Sequence, residues 1–201
     1  NAGQDCAAGT RVLVQEGIAK EFTAALAKKV AEFKFGSPEN DDHFYGALNS
    51  QNQLDRVQGF IDRLPGHAEI LTGGKAQRLN GGYYFEPTLI AGLKQDDEMI
   101  QTEVFASVQT IQTFKDEDQA IEMANDVDFG LAASIWSENH GRVIRTSQDL
   151  DFGQVWVNCH LVQAAEMPNG GFKHSGHGND LSTEAIEGYT RVKHVMSLTG
   201  R

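Results

Sequence analysis

Basic side chains are in deficit: 17 Lys and Arg face 28 Asp and Glu in 201 residues, a formal charge of −11 with the histidines neutral. That balance argues against nucleic acid as a partner, because binding a phosphate backbone rests on a concentrated Lys/Arg field. Cysteine is scarcer still. Cys6 and Cys159 are the only two, too few for a disulfide framework and in keeping with a reducing, cytoplasmic setting. Long apolar runs are missing as well. The longest, Leu131–Trp136, already contains Ser134, whereas a helix crossing a bilayer needs about 20 apolar residues, so no membrane partner is expected. No Pro/Ser-rich linker, internal repeat or low-complexity tract divides the chain, and the expectation is one domain over residues 1–201. What is present is ordinary globular material, 40% hydrophobic and 22% charged. A chain of this length buries roughly 70% of its unfolded surface and needs neither disulfide nor metal to fold.

Strand-like and helix-like patterns alternate. Thr10–Gln15 is a short β-branched run. Ile18, Phe22, Ala25, Leu26, Lys29, Val30 and Phe33 then follow a helical period, and a stop is expected near Gly36-Ser37-Pro38. Leu54, Val57, Phe60, Ile61 and Leu64 predict a second helix, ended by Pro65-Gly66. Strands are expected at Ala68–Leu71, around Tyr83–Ile90 and at Ser107–Phe114. A helix capped by Asp116 follows, then a buried strand at Leu131–Trp136. A helix at Asn139–Gln148, a strand at Gln154–Asn158, a short helix near Ser182–Glu187 and a long final strand, Tyr189–Leu198, complete the reading. The alternation predicts an α/β fold with a largely parallel sheet flanked by helices.

Two segments invite chemistry. Cys6 follows Asn1-Ala2-Gly3-Gln4-Asp5, polar company for a cysteine, which is more often a small buried hydrophobe. A turn there could aim backbone N–H groups at a carbonyl oxygen while a thiolate attacks the carbon. Met167–Gly178 carries four glycines in twelve residues. It is not a phosphate loop, because His177 stands where that motif needs lysine. No strand–G-x-G-x-x-G–helix unit occurs either. His174, His177 and Cys159-His160 lack H-E-x-x-H or paired C-x-x-C spacing, so no metal is expected. The plain alternative for this segment is a tight loop packed on the sheet.

Taken in order, the segments resemble the NAD(P)-dependent aldehyde dehydrogenase superfamily. Asn1-x-Gly-Gln-x-Cys6 resembles its active-site cysteine signature, Glu103-Val-Phe105 its E-[IV]-F motif, and Asn125–Trp136 its N-x-x-x-Y-G-L-A-A stretch. Val155-Trp156-Val157-Asn158 resembles its W-[VI]-N segment, and Gly170–Gly178 its late glycine loop. The resemblance implies that Cys6 is the nucleophile, its own N–H helping to hold the oxyanion. It implies that Glu103 binds the nicotinamide ribose hydroxyls and that Phe105 packs beside the nicotinamide. On composition alone, Glu103 reads as a solvated acid and Phe105 as core. Ala106-Ser107 departs from the family's Gly-Pro, and Phe129 from its tyrosine.

The resemblance further implies that the general base, the oxyanion-hole asparagine and the dinucleotide-binding domain precede the cysteine motif and are not among these residues. The chain then corresponds to the C-terminal catalytic domain. It is expected to bind NAD or NADP weakly or not at all when isolated, to turn over no aldehyde by itself, and to expose apolar surface. Cys159–Asn169 corresponds to the substrate-tunnel segment, with Cys159, His160, Glu166 and Asn169 as tunnel residues. Glu166-Met167-Pro168 before Gly170-Gly171 looks most like the amino-aldehyde branch, the γ-aminobutyraldehyde and betaine aldehyde dehydrogenases. Glu166 would favour a distal ammonium, or alternatively point to solvent. The resemblance also implies a homodimer or homotetramer. The competing reading is a non-catalytic domain serving as an assembly scaffold.

Overall fold

The computed structural model describes residues 1–200 and divides into two compact units, Asn1–Val127 and Asp128–Arg201. The first contains β1 (Arg11–Gln15), α1 (Glu16–Ala31), α2 (Gln51–Asp62), β2 (Glu69–Thr72), β3 (Ala76–Leu79), β4 (Gly82–Phe85), β5 (Thr88–Ala91), α3 (Glu98–Gln101), β6 (Val108–Phe114) and α4 (Glu117–Asn125). Its sheet runs in the order β1-β6-β5-β2. The β1–β6 and β6–β5 pairs are parallel, and β2 joins antiparallel at the edge. The two inner strands are covered on both faces, which is why Thr88-Leu89-Ile90 is buried without a break instead of alternating. Leu89 and Ile111 pack with Val14 and Val30 of β1 and α1. Ile90 and Val108 pack on the opposite face with Leu54, Val57 and Phe60 of α2 and with Phe85. Ser50 caps α2 by accepting the Gln53 N–H at 3.2 Å, and Asp116 caps α4 by accepting that of Gln119 at 3.0 Å.

The second unit holds β7 (Phe129–Gly130), β8 (Ala132–Ile135), α5 (His140–Asp149), β9 (Gln154–Val157), β10 (Phe172–Lys173) and α6 (Ser182–Tyr189). β8 and β9 pair in parallel, while β7 and β10 pair antiparallel. Asn139 caps α5 through the Arg142 N–H at 2.9 Å. The glycine-rich segment is the tight loop of the plain reading. Gly153 approaches Gly170 so closely that a Cβ there would lie 1.8 Å from the Gly170 oxygen. Among the described residues no group of three or more His, Cys, Asp or Glu side chains converges as a metal site, and no helix is long and apolar enough to cross a membrane.

The α/β architecture with a mainly parallel principal sheet is as expected, and four details differ. α1 stops at Ala31, short of Gly36, because Phe35 bridges to Tyr45 and the Phe33 ring packs 4.5 Å from that of Phe44. Tyr83–Ile90 is two strands, β4 and β5, since Pro87 between them has no N–H to give a ladder, and β3 was not anticipated. Leu131–Trp136 is only partly buried, with Ile135 inside and Trp136 68% exposed. The final strand does not form: Tyr189 ends α6, and Thr190–Gly200 lies exposed outside any element. A strand is held by a ladder, and this segment pairs with no strand among the described residues.

Candidate active site

Two successive turns present Cys6. The Gln4 N–H and the Gln4 side-chain amide both donate to the Asn1 carbonyl, at 3.1 and 3.0 Å. Asp5 then takes over: its carboxylate accepts the Ala7 N–H at 2.8 Å and its carbonyl the Ala8 N–H at 3.1 Å. Cys6, between them, is exposed as a free thiol, and its own N–H meets no acceptor among the described residues. Ala2 is buried beneath the loop. Gly3 has φ +70°, and a Cβ there would sit 2.1 Å from the Ala106 carbonyl oxygen, so the cysteine loop lies directly on the segment that follows Phe105.

In that segment Val104 and Ala106 are buried, while Glu103 is exposed and Phe105 half-buried. Alternation therefore sends the Glu103 carboxylate outward. Phe105 adopts φ +59°, a left-handed conformation uncommon outside glycine. Donors from α2 meet its backbone. Gln53 Nε2 donates to the Val104 and Phe105 carbonyls at 3.0 and 2.8 Å, and Arg56 donates to the Val104 carbonyl at 2.6 Å and to that of Glu103. Ser107, in place of proline, donates its hydroxyl to the Phe85 carbonyl at 3.1 Å. Beside it, burial pushes the Tyr45 phenol well above its ordinary pKa, a hydrogen bond with Ser107 partly opposing. Tyr45 thus stays protonated and donates to the Phe85 carbonyl at 2.8 Å.

The remaining sequence-selected residues lie in the second unit. Cys159 and His160 are half-buried after β9. The His160 Nδ1 lies 2.9 Å from the Ser134 hydroxyl, and its ring meets the Trp156 ring edge-on at 4.9 Å. Trp156 donates its indole N–H to the Val162 carbonyl at 2.6 Å. Asn169 is a local clamp, exchanging backbone bonds with Asp180 at 2.8 Å and accepting the Gln154 amide at 2.5 Å. Glu166 is exposed on the turn closed by the Met167 N–H donating to Ala164 at 3.0 Å. In the first unit the Cys6 loop thus lies against the segment that carries Glu103 and Phe105; in the second, His160 is tied to Ser134 and Trp156, whereas Asn169 is tied to Gln154 and Asp180. Sequence reading missed Gln53 and Arg56. The spacing Ser50-x-x-Gln53 is a capping-box signature, but the glutamine reaches the Glu103–Phe105 backbone instead.

A sheet covered by helices, with a cysteine offered to solvent on a turn that rests against an acidic–aromatic segment, places the chain in the α/β class. More narrowly, it belongs to the aldehyde dehydrogenase family, whose profile matches residues 1–195. It is 41% identical over 196 residues to an aldehyde dehydrogenase of Emericella nidulans, covering 97% of this chain and 39% of that protein. A betaine aldehyde dehydrogenase of Bacillus subtilis is 36% identical over 203 residues, covering 99% of this chain and 41% of its own length. Among solved structures, a betaine aldehyde dehydrogenase double mutant from Staphylococcus aureus, in complex with NAD+ and with a BME-modified cysteine, superposes with a TM-score of 0.92. It is 36% identical, over 96% of this chain and 40% of that one. The chain therefore spans about two fifths of the length of these relatives.

Proposed function

We propose that this chain is the nucleophile-bearing catalytic portion of an enzyme that oxidises an aldehyde to the carboxylic acid with NAD or NADP. The observation that carries the reading is the exposed Cys6 thiol on a loop lying against the Glu103–Phe105 segment. The Cys6 thiolate adds to the aldehyde carbon, forming a C–S bond. The oxygen takes up negative charge within reach of the uncommitted Cys6 N–H. A bound dinucleotide would supply the hydride acceptor for oxidation of the adduct, and Cys6 would hold the resulting acyl group as a thioester. Cys6 keeps the acyl group until water cleaves the thioester, releasing the acid and restoring the thiol.

The donor set fits such a dinucleotide. An outward carboxylate at Glu103 can accept two ribose hydroxyls, and the half-buried Phe105 ring offers a flat apolar wall. No acid of this chain is assigned the general base, which, with the dinucleotide-binding domain, is expected outside these residues. Isolated, the chain should bind NAD or NADP weakly, and tight binding by calorimetry would refute this. In the full-length protein, Cys6→Ala should abolish aldehyde oxidation. Undiminished activity would remove the nucleophile assignment and favour the scaffold reading.

Cys159, His160, Glu166 and Asn169 are proposed to shape the substrate tunnel, with Glu166 favouring an ω-amino or quaternary ammonium aldehyde. The Glu166-Met167-Pro168 motif and the likeness to betaine aldehyde dehydrogenases support this. Glu166→Gln should lower kcat/KM for an amino aldehyde about tenfold, roughly the strength of one partly solvated charge contact. An alkanal of equal length should be little affected, and equal losses on both would dismiss the electrostatic role. A homodimer or homotetramer in a cytoplasmic setting is the expected form of the whole enzyme.

A further inference from the structure

Three consecutive carbonyls, those of Glu103, Val104 and Phe105, receive donors from one helix. Arg56 spans the Glu103 and Val104 oxygens with its two guanidinium amines, and Gln53 spans those of Val104 and Phe105 with one amide. A strand turns successive carbonyls to opposite sides, and a helix satisfies its own. A segment doing neither needs outside donors, more so with Phe105 in the left-handed region at φ +59°. The guanidinium plane is itself fixed, because Arg56 Cζ stands 4.9 Å from the centre of the Phe60 ring.

The same stretch of chain also reaches the nucleophile loop. The N–H of Asn49, just before the Ser50 cap, donates to Gln4 Oε1 at 2.9 Å, and Gly3 rests on Ala106. The geometry points to Gln53 and Arg56 as positioning residues: they hold the Glu103–Phe105 backbone in its cofactor-binding shape, while Asn49 ties the Cys6 loop to the same mount. Neither residue acts on substrate. Their contribution is geometric, and it depends on the planar two-pronged guanidinium that lysine lacks. This inference rests on the cofactor role proposed for Glu103 and Phe105.

The test uses the full-length enzyme with Arg56→Met, Arg56→Lys, Gln53→Met and Glu103→Gln. Arg56→Met should raise the dinucleotide KM about tenfold while the aldehyde KM and the iodoacetamide reaction rate of Cys6 stay within twofold, since the Cys6 turns are closed by their own bonds. Arg56→Lys should resemble Arg56→Met, and Gln53→Met should show about a threefold rise. If Arg56→Met fails to fold, as judged by circular dichroism, Arg56→Lys and Gln53→Met decide. Dinucleotide KM values near wild type in these folded variants, alongside a raised value in Glu103→Gln, would overturn the positioning role alone. An unchanged KM in Glu103→Gln would overturn the cofactor role of the segment and the inference built on it.

Discussion

Gly3 shows how much of the site hangs on a single residue. Its left-handed φ and its contact with the Ala106 carbonyl leave no room for a side chain. Gly3→Ala should destabilise the chain by at least about 2 kcal/mol, combining backbone strain with a displaced loop, and should slow Cys6 alkylation. Thermal unfolding and thiol labelling would measure both effects. Elsewhere, carboxylates near α3 tie the chain's stability to pH. The hydrogen bond from His67, at 2.8 Å, holds the Asp97 carboxyl below the usual carboxylate range, assisted by the Lys94 N–H. Glu98 is lowered in the same way by Arg63. Carboxylates with depressed folded-state pKa values contribute stability above their unfolded pKa and lose it as pH falls through the folded value. The unfolding temperature should therefore fall below about pH 4, and less steeply in Asp97→Asn. Identical pH profiles for the two proteins would exclude Asp97 from the effect. At this scale Cys6, Glu103 and Phe105 were legible as candidates because their motifs are short and local. Gln53 and Arg56 were not, because their partners lie about fifty positions along the chain and nothing in either sequence neighbourhood names them.

Elements were legible where local chemistry sets their limits. Asp116 was readable as a cap because its side chain meets an N–H three residues on. Asp116→Ala should cost about 1 kcal/mol in chemical denaturation, and a loss within error would mean that packing alone holds α4. The end of α1 was less legible, since Phe33 keeps the helical period while its ring is drawn to Phe44. The split of β4 from β5 follows from Pro87, a local cause present in the sequence but overlooked beneath the continuous apolar run. Tyr189–Leu198 failed for the opposite reason. Its β-branched residues state a propensity, and propensity becomes a strand only when another strand supplies the ladder.

At the scale of the molecule, the two units are unequal in core. The first holds both buried clusters, built on β5 and β6. In the second, Ile135 and Val143 are the buried apolar side chains among the described residues, and its strands form only pairs. Two-stranded pairings have little independent stability. Amide hydrogen exchange should therefore show β5 and β6 opening only with global unfolding, while β7, β8, β9 and β10 exchange through smaller openings. Equal protection in both units would contradict this. The amino-acid sequence by itself determined the α/β class and the family, and it singled out Cys6 as the candidate nucleophile, because period, composition and short motifs are local properties. Only tertiary structure decided which face of α2 holds the Glu103–Phe105 backbone, that Gly3 seats the Cys6 loop on Ala106, and that the last apolar run stays unpaired. Each of these depends on a partner distant in the chain, and a contact exists only once folding has brought both sides together.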